Sequence, residues 1–224
     1  MEPPEPSDSS DPPDSSDPPD QCERQLLARC AEGDKRAREE LARIYFRPLR
    51  CFFIHRVSDD QEDLVNETFI RVLEAAGRYH GGGTVRAFVF GVARNIWREY
   101  LQARNRRPDF DPYTTSMGQA RGGGQSSMLR AAEDLRIVID ALEGLSVADY
   151  DLLTHFYFDE LSAREIGEMA DLPEGTVRGR LRAALGRLRS RIIELAELPR
   201  EREPAEETLE CWLRRLRQWW RHPS

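Results

Sequence analysis

Apolar residues recur at steps of three and four along most of this chain, a spacing that places them on one face of an α-helix. The repeat runs through residues 23–106 and includes one segment at 61–76 and another at 84–103. Residues 81–83, between these two segments, are three consecutive glycines, which let the backbone bend or approach a ligand closely. The pattern predicts a bundle of helices over residues 23–106.

The helical pattern stops over residues 107–128, where proline, glycine, serine and threonine are frequent. This composition is typical of a flexible linker between two domains. Helical spacing returns over residues 129–193, and a last amphipathic helix is expected in the extension 194–224. We therefore expect an all-α protein with two small helical domains joined by a linker.

Within the second helical unit, several local features indicate a helix-turn-helix. Ser162 and Glu165 form a capping box at the start of a short helix. Asp171 and Leu172 make the turn, and Pro173 suits the start of the next helix, where its missing N–H costs nothing. The second helix of such a pair enters the major groove of DNA. The alternative is a plain amphipathic hairpin with a solvated arginine face.

The second helix of this pair is strongly basic. Residues 173–191 hold six arginines against one acid. Arginine reads guanine edges and also holds phosphates, so we expect residues near the start of the helix to face bases and later arginines to contact the backbone. The candidates that face bases are Glu174, Thr176, Arg178, Gly179 and Arg180, and those that hold phosphates are Arg182 and Arg187.

The net charge of −7 does not contradict DNA binding, because the charge is segregated along the chain. Residues 1–20 carry seven acids and no base, so the rest of the chain is neutral. A nucleic acid meets local patches rather than the total charge. We expect residues 1–22 to form a disordered acidic tail, because so few of them are apolar. The tail either solubilises the chain or shields its basic surfaces.

The helix-turn-helix resembles the fourth conserved region of the extracytoplasmic-function sigma factors, subunits that direct bacterial RNA polymerase to promoters. The matching stretches are Glu165-Ile166-Gly167, Leu172 to Arg180, and Arg182-Ala183. Gly167 stands where the family usually has alanine, Asp171 where it has glycine, and Gly179 where it has serine. The resemblance implies that this domain binds the minus-thirty-five element of a promoter.

The first helical unit carries an independent match. Its heptapeptide from Asp63 to Phe69, D-L-V-N-E-T-F, is similar to the family's D-L-V-Q-E-T-F, which binds the clamp helices of the largest polymerase subunit. Residues 59–74 hold six acids and one base, which suits a contact with basic helices. The alternative is an acidic, solvated helix face. The candidates for polymerase binding are Asp63, Leu64, Val65, Asn66, Glu67 and Phe69.

A third match covers residues 86–95, which are similar to the family stretch that melts and reads the minus-ten element. Residues 86–107 hold six arginines and one acid. In the family a base is flipped out against a loop, which corresponds here to residues 79–84. The candidates for contact with minus-ten DNA are Tyr79, His80, Arg94, Asn95, Trp97 and Arg98. Tyr79 and Trp97 have an equal alternative as ordinary core aromatics.

The resemblance as a whole implies a sigma factor that binds core RNA polymerase and promoter DNA, has no enzymatic activity and needs no cofactor. It leaves an anti-sigma factor open as a further partner. The four cysteines lack metal-site spacing and are expected to be reduced thiols. No apolar run approaches the roughly 18 residues of a membrane span, and no secretory signal is visible, so we expect a cytoplasmic protein. The alternatives are a free-standing helix-turn-helix regulator and an interaction protein that mimics sigma domains.

The C-terminal extension has its own apolar stripe, at helical spacing. It consists of Leu209, Trp212, Leu213, Leu216, Trp219 and Trp220. Three interpretations remain at this point. The helix packs on the second domain as additional core, or binds a partner or inhibits the chain by covering a functional face, or lies on a membrane surface.

Overall fold

The structure, a computed structural model, describes residues 18–57, 60–105, 111–120 and 133–196, and six positions between 209 and 218. All regular elements in these residues are helices, and the described residues contain one isolated β-bridge and no strand. The all-α prediction is therefore confirmed. Residues 1–17 and the C-terminal Trp212, Trp219 and Trp220 lie outside the described residues.

Four helices form the first bundle. They are α1 (Pro18–Ala31), α2 (Lys35–Ile54), α3 (Gln61–Ala75) and α4 (Val85–Asn105), with a 3-10 turn at Ala76–Arg78 after α3. The helices expected at 61–76 and 84–103 are confirmed, with ends that differ by at most two residues. Asp34 caps α2, because its carboxylate accepts hydrogen bonds from two N–H groups of the first turn. Leu27, Leu49, Phe52 and Trp97 are completely buried between the four helices.

Helix α1 begins at Pro18, so the expectation of a disordered tail over residues 1–22 is wrong for its last five residues. Asp20 supplies the physical reason. Its Oδ1 accepts a hydrogen bond of 3.0 Å from the backbone N–H of Val85 at the start of α4, and its Oδ2 lies 2.6 Å from Arg24 Nε. In the sequence Asp20 is one more acid of the tail, whereas the fold uses it to cap a distant helix.

The linker expected over residues 107–128 is partly built into the second bundle. Residues 111–120 form a turn and a short helix, α5 (Met117–Ala120). The N–H of Met117 donates to the carbonyl of Leu145 at 2.8 Å, and the N–H of Val147 donates to that of Thr115 at 2.9 Å. Met117 and Ala120 are completely buried. The prediction of a flexible linker is therefore wrong for residues 111–120, because backbone pairing and two apolar side chains hold them.

Four further helices form the second bundle. They are α6 (Glu133–Glu143), α7 (Val147–Tyr157), α8 (Ala163–Ala170) and α9 (Glu174–Leu195). α9 packs against the other three and buries Val177, Leu188 and Ile192 among them. In the C-terminal extension, the helical residues Leu209, Leu213 and Leu216 are buried, and Arg217 Nη1 lies 2.9 Å from Glu160 Oε1 in the α7–α8 turn. Their burial favours the core-packing interpretation for these leucines.

The two bundles pack directly against each other, chiefly through α4 and α8. The buried apolar residues of both bundles form one continuous core. Among the described helices, none combines the length and the apolar character that crossing a bilayer requires.

Candidate polymerase and nucleic-acid interfaces

Helices α8 and α9 form the helix-turn-helix. The Ser162 hydroxyl accepts a hydrogen bond from the N–H of Glu165, whose carboxylate accepts one from the N–H of Ser162, so the predicted capping box is confirmed. Asp171 ends α8 in the left-handed region with a φ of 53°, a conformation that favours the glycine usual in the family. A Cβ on Gly167 would lie 2.6 Å from the carbonyl oxygen of Leu172, so this glycine lets the turn close tightly.

Helix α9 presents most of its DNA candidates to solvent. The exposed members are Glu174, Thr176, Gly179, Arg180, Arg182 and Arg187. Arg178 is half-buried, and its Nη2 lies 2.7 Å from Glu174 Oε1 one turn earlier. Because Val177, Leu181 and Leu188 point into the bundle, the polar face of α9 is turned outward. The structure thus brings the seven candidates together on one helix.

Arg187, a phosphate candidate, has a carboxylate partner on α7. Its Nε and Nη2 each lie 2.7 Å from an oxygen of Asp149. This bidentate hydrogen bonding raises the pKa of Arg187 above its ordinary value. The pair fixes the middle of α9 on α7. A phosphate at this position would compete with Asp149 for the guanidinium group.

The outer face of α3 consists of polar residues around one isoleucine. Its exposed residues are Glu62, Asp63, Asn66, Ile70 and Glu74, and successive turns of the helix place them on one face. Ile70 is 53% exposed and lies one residue beyond the matched heptapeptide, so the motif did not include it. Leu64, Glu67 and Phe69 are half-buried beside this face. An apolar centre with a charged rim is the usual arrangement of a protein-binding surface.

Val65 differs from the other polymerase candidates. It is 1% exposed and belongs to the core of the first bundle. The helical repeat of 3.6 residues explains how its two neighbours reach the surface while Val65 points inward. In this structure Val65 supports the fold of α3 and is not available for a contact with polymerase.

The loop 79–84 is held from two sides. Arg24 Nη2 in α1 donates to the carbonyl oxygen of Gly83 at 3.0 Å, and the Tyr79 hydroxyl donates to the same oxygen. The Tyr79 ring packs on Phe88, with centroids 5.2 Å apart. Tyr79 is therefore half-buried, with its ring against α4 and its hydroxyl in the loop. His80 is exposed.

The predicted minus-ten residues of α4 have different surroundings. Arg94 Nε lies 2.6 Å from Asp151 Oδ2 in the second bundle, whereas Asn95 is exposed. Trp97 is completely buried and edge-on to Phe52, which favours its alternative as a core aromatic, because no face of the ring is open to a base. Arg98 is half-buried, and burial, together with the nearby Arg94, lowers its pKa.

Sequence reasoning missed a cluster of buried charges between the two bundles. Arg56, after α2, and Asp159, after α7, form an ion pair of 2.9 Å with side chains 0% and 3% exposed. His155 lies 3.0 Å from Asp151 Oδ1 and 3.1 Å from Asp159 Oδ2. Burial alone would lower the pKa of His155, but Asp151 and Asp159 outweigh it and hold the pKa above its ordinary value. The sequence signal for this cluster was the four-residue spacing of Asp151, His155 and Asp159, in and just after an otherwise apolar helix.

Known proteins match both bundles. Residues 42–107 match the family model Sigma-70 region 2, and residues 141–190 match Sigma-70, region 4. The chain is 28% identical over 169 residues to the RNA polymerase sigma-H factor of Pseudomonas aeruginosa, which covers 71% of this chain and 88% of that protein. It is 30% identical over 165 residues to the ECF RNA polymerase sigma-E factor of Escherichia coli strain K12, with coverages of 70% and 86%.

A solved structure of CnrH in complex with the cytosolic domain of CnrY is also similar. It has a TM-score of 0.46 and 21% sequence identity, and covers 78% of this chain and 97% of that chain.

Two helical domains with these two regions in this order define a sigma factor, a protein of transcription initiation by RNA polymerase. Within that class, the chain belongs to the extracytoplasmic-function group of the sigma-70 family. The predicted family is therefore confirmed. The roles of individual residues at the two promoter elements and on the polymerase stay predictions.

Proposed function

We propose that this chain docks on core RNA polymerase through α3, opens the minus-ten element with α4 and the loop 79–84, and reads the minus-thirty-five element with α9. The observation that carries the proposal is the exposed N-terminal half of α9, presented by an intact helix-turn-helix. The chain would act in the cytoplasm, where the polymerase works, and without a catalytic activity of its own.

At the minus-thirty-five element, the first two turns of α9 would enter the major groove. Thr176 and Arg180 are four residues apart and both exposed, so they can reach neighbouring bases from one face. A bidentate arginine contact to guanine contributes about 1–3 kcal/mol of discrimination. Arg178 would read a base after leaving Glu174, and this costs little because the pair lies at the surface.

At the minus-ten element, the loop 79–84 would receive the flipped base. Arg24 and Tyr79 fix the carbonyl of Gly83, so the loop has its shape before DNA arrives. A preshaped loop lowers the entropic cost of ordering the loop when DNA binds. That cost would otherwise add to the few kcal/mol needed to extrude the base. His80 and Asn95 are exposed and free to contact the base, while Arg94 and Arg98 would hold phosphates.

On the polymerase, the face of α3 would meet basic clamp helices. Asp63, Asn66 and Glu67 supply the polar rim, and Ile70 with Phe69 supplies the apolar centre. Charge complementarity of this kind favours fast and selective association. An anti-sigma factor, if this chain has one, would compete for this face or for one of the DNA-binding faces.

Transcription in vitro with purified core polymerase over a library of promoter sequences tests the proposal. We expect start sites that core polymerase alone does not use. Arg180→Ala should change the preference at the minus-thirty-five element and leave polymerase binding intact. Arg136→Ala is the matched control, because Arg136 is an exposed arginine of the same bundle, on α6, and should change neither.

Two results would contradict the proposal. A chain that neither binds core polymerase nor creates new start sites is not acting as proposed. Sequence-specific DNA binding without any effect on polymerase would instead favour the free-standing regulator, which leaves the apolar centre of the α3 face without a role.

A further inference from the structure

A cavity of about 420 Å³ lies where α4 meets α7, α8 and α9. Its volume is within the range of about 300–1,000 Å³ that is usual for small-molecule sites, which often lie between domains. Leu152, Met169, Leu172 and Val177 give the cavity an apolar wall. The proposed function uses some of the arginines around this cavity but assigns no role to the cavity itself.

The charged residues around the cavity are unequal in number. They are Arg94, Arg98, Arg180, Arg187, Asp149 and Asp151. Each aspartate already has an arginine, because Arg94 Nε lies 2.6 Å from Asp151 Oδ2 and Arg187 Nε lies 2.7 Å from Asp149 Oδ2. Arg98 and Arg180 form no ion pair with any residue that the structure describes. The cavity therefore carries two positive charges without a carboxylate to balance them.

Arg98 is the more informative of these two cations, because it is not a surface residue. It is half-buried, and burial together with the nearby Arg94 lowers its pKa. A charged side chain that leaves water normally has a partner of opposite charge, since its desolvation is otherwise uncompensated. An anion in the cavity would supply that partner.

Tyr113 adds an aromatic ring to the edge of the same cavity. Its backbone is fixed, because its N–H donates to Asp111 Oδ1 at 2.9 Å and the N–H of Ala148 donates to the carbonyl oxygen of Pro112 at 2.9 Å. Tyr113 is nevertheless 62% exposed. An aromatic side chain that is held at its backbone and open to solvent can stack on a flat ligand.

These features together define the chemistry of a ligand. The guanidinium fork of arginine matches the oxygens of a phosphate, to which it can donate two parallel hydrogen bonds. The apolar wall and the exposed tyrosine suit a flat ring system. Inorganic phosphate would use the arginines alone, whereas a nucleoside phosphate would use both parts of the cavity.

We infer that this cavity binds a free nucleoside phosphate, with its phosphates on Arg98 and Arg180 and its base beside Tyr113. The site itself does not depend on the proposed function. Its consequence for transcription does, because Arg180 is also expected to read the minus-thirty-five element. A bound nucleotide and promoter DNA would then compete for the same guanidinium group.

Isothermal titration of the full chain with ATP tests the site. We expect saturable binding of one ATP per chain. Arg98→Ala and Arg180→Ala should each weaken binding at least about tenfold, because each removes charge-assisted hydrogen bonds to phosphate. Arg182→Ala is the matched control. Arg182 is an exposed arginine of the same helix, two residues from Arg180, but does not line the cavity, so this variant should bind ATP like wild type.

A second variant separates a nucleotide site from a simple phosphate site. Tyr113→Ala should weaken binding of ATP by about five- to a hundredfold, the usual contribution of stacking one base on an aromatic ring. Binding of inorganic phosphate should stay the same in this variant. Thermal unfolding should also be unchanged, because the side chain is mostly exposed.

The consequence for DNA needs a separate measurement. Fluorescence anisotropy gives the affinity of the chain for a minus-thirty-five duplex taken from the transcription library. We expect ATP to weaken DNA binding by wild type and to have no such effect on Arg98→Ala, which keeps Arg180 for DNA but lacks half of the phosphate site.

Three outcomes would overturn the inference. ATP does not bind saturably, or Arg182→Ala weakens ATP binding as much as Arg180→Ala, which indicates a general attraction to a basic helix, or inorganic phosphate binds as tightly as ATP. A chain that binds ATP as expected but binds no promoter DNA, with or without ATP, would instead count against the proposed function and would support the nucleotide site.

Discussion

The segments that contain α4 and α9 carry similar charge but have different surroundings. Residues 86–107 and 173–191 each hold six arginines and one acid. On α9, Arg180 and Arg182 are exposed, and Arg178 and Arg187 pair with carboxylates of the same bundle. On α4, Arg86 and Arg94 bind groups of the other bundle. The same content of arginine therefore does not decide whether a helix faces solvent or the other bundle, because tertiary packing decides that.

The largest expected effect comes from removing the buried ion pair between the two bundles. Arg56→Ala leaves the buried Asp159 with His155 beside it but without its arginine, which should cost about 3–5 kcal/mol of stability. Arg71→Ala is the matched control, because Arg71 pairs with Glu67 and Glu99 at the surface and its loss should cost less than about 1 kcal/mol. Urea denaturation measures both free energies of unfolding. Equal losses in the two variants would show that the buried pair contributes no more than a surface pair.

The second largest effect comes from replacing exposed arginines of α9. Arg180→Ala should weaken binding of the polymerase-bound chain to its promoter by about 1–3 kcal/mol and relax the preference at one base pair. Arg182→Ala, a phosphate candidate, should instead weaken binding on all sequences and reduce the salt slope by about one. Both variants should unfold like wild type, because neither side chain is buried. Binding titrations at several salt concentrations separate the two roles.

Two glycines of the helix-turn-helix, Gly167 and Gly179, allow the same contrast between a tightly packed and an open position. Gly167→Ala places a methyl group against the carbonyl of Leu172 and should cost about 1–3 kcal/mol. Gly179→Ala meets no atom within 4 Å and should stabilise α9 by about 0.5–1 kcal/mol. Thermal unfolding measures both changes. A neutral Gly167→Ala would mean that the turn between α8 and α9 relaxes easily.

The smallest effect is a dependence on pH through His155. Its pKa is raised in the folded chain, where Asp151 and Asp159 outweigh burial. A raised pKa gives stabilisation that is complete below the ordinary value of about 6.5 and is lost as pH rises through the folded value. We expect the free energy of unfolding to fall as pH rises above about 6.5, by about 1.4 kcal/mol for each unit by which the pKa of His155 is raised. His155→Gln should flatten this slope, and an unchanged slope would contradict the assignment.

The elements that the sequence predicts correctly are those determined by residues close together in the chain. The capping box of Ser162 and Glu165 lies within four residues, and the bounds of α3 follow from its own apolar spacing. The exposed arginines of α9 follow from the same spacing, because Val177 and Leu181 fix which face is buried. These features need no knowledge of the rest of the chain.

The features that were missed depend on residues distant in sequence. Asp20 reads as part of an acidic tail, yet it caps α4, which begins 65 residues later. Arg56 follows α2 without any motif, and its partners lie 98 and 103 residues away. Trp97 and Val65 sit inside matched motifs but serve the core. A motif marks a segment, whereas contacts across the fold decide which of its side chains can meet a partner.

Segment 111–120, which pairs with the second bundle, also limits how far the two bundles can move apart. Only residues 106–110 separate the end of α4 from the part that pairs with Leu145 and Val147. Those few residues reach about 20 Å when fully stretched, whereas the whole stretch 107–128 would reach about 75 Å. As long as Met117 stays buried in the second bundle, the two bundles can separate only a short way. If both contact promoter DNA as proposed, we expect them to tolerate few changes in the length between the two promoter elements.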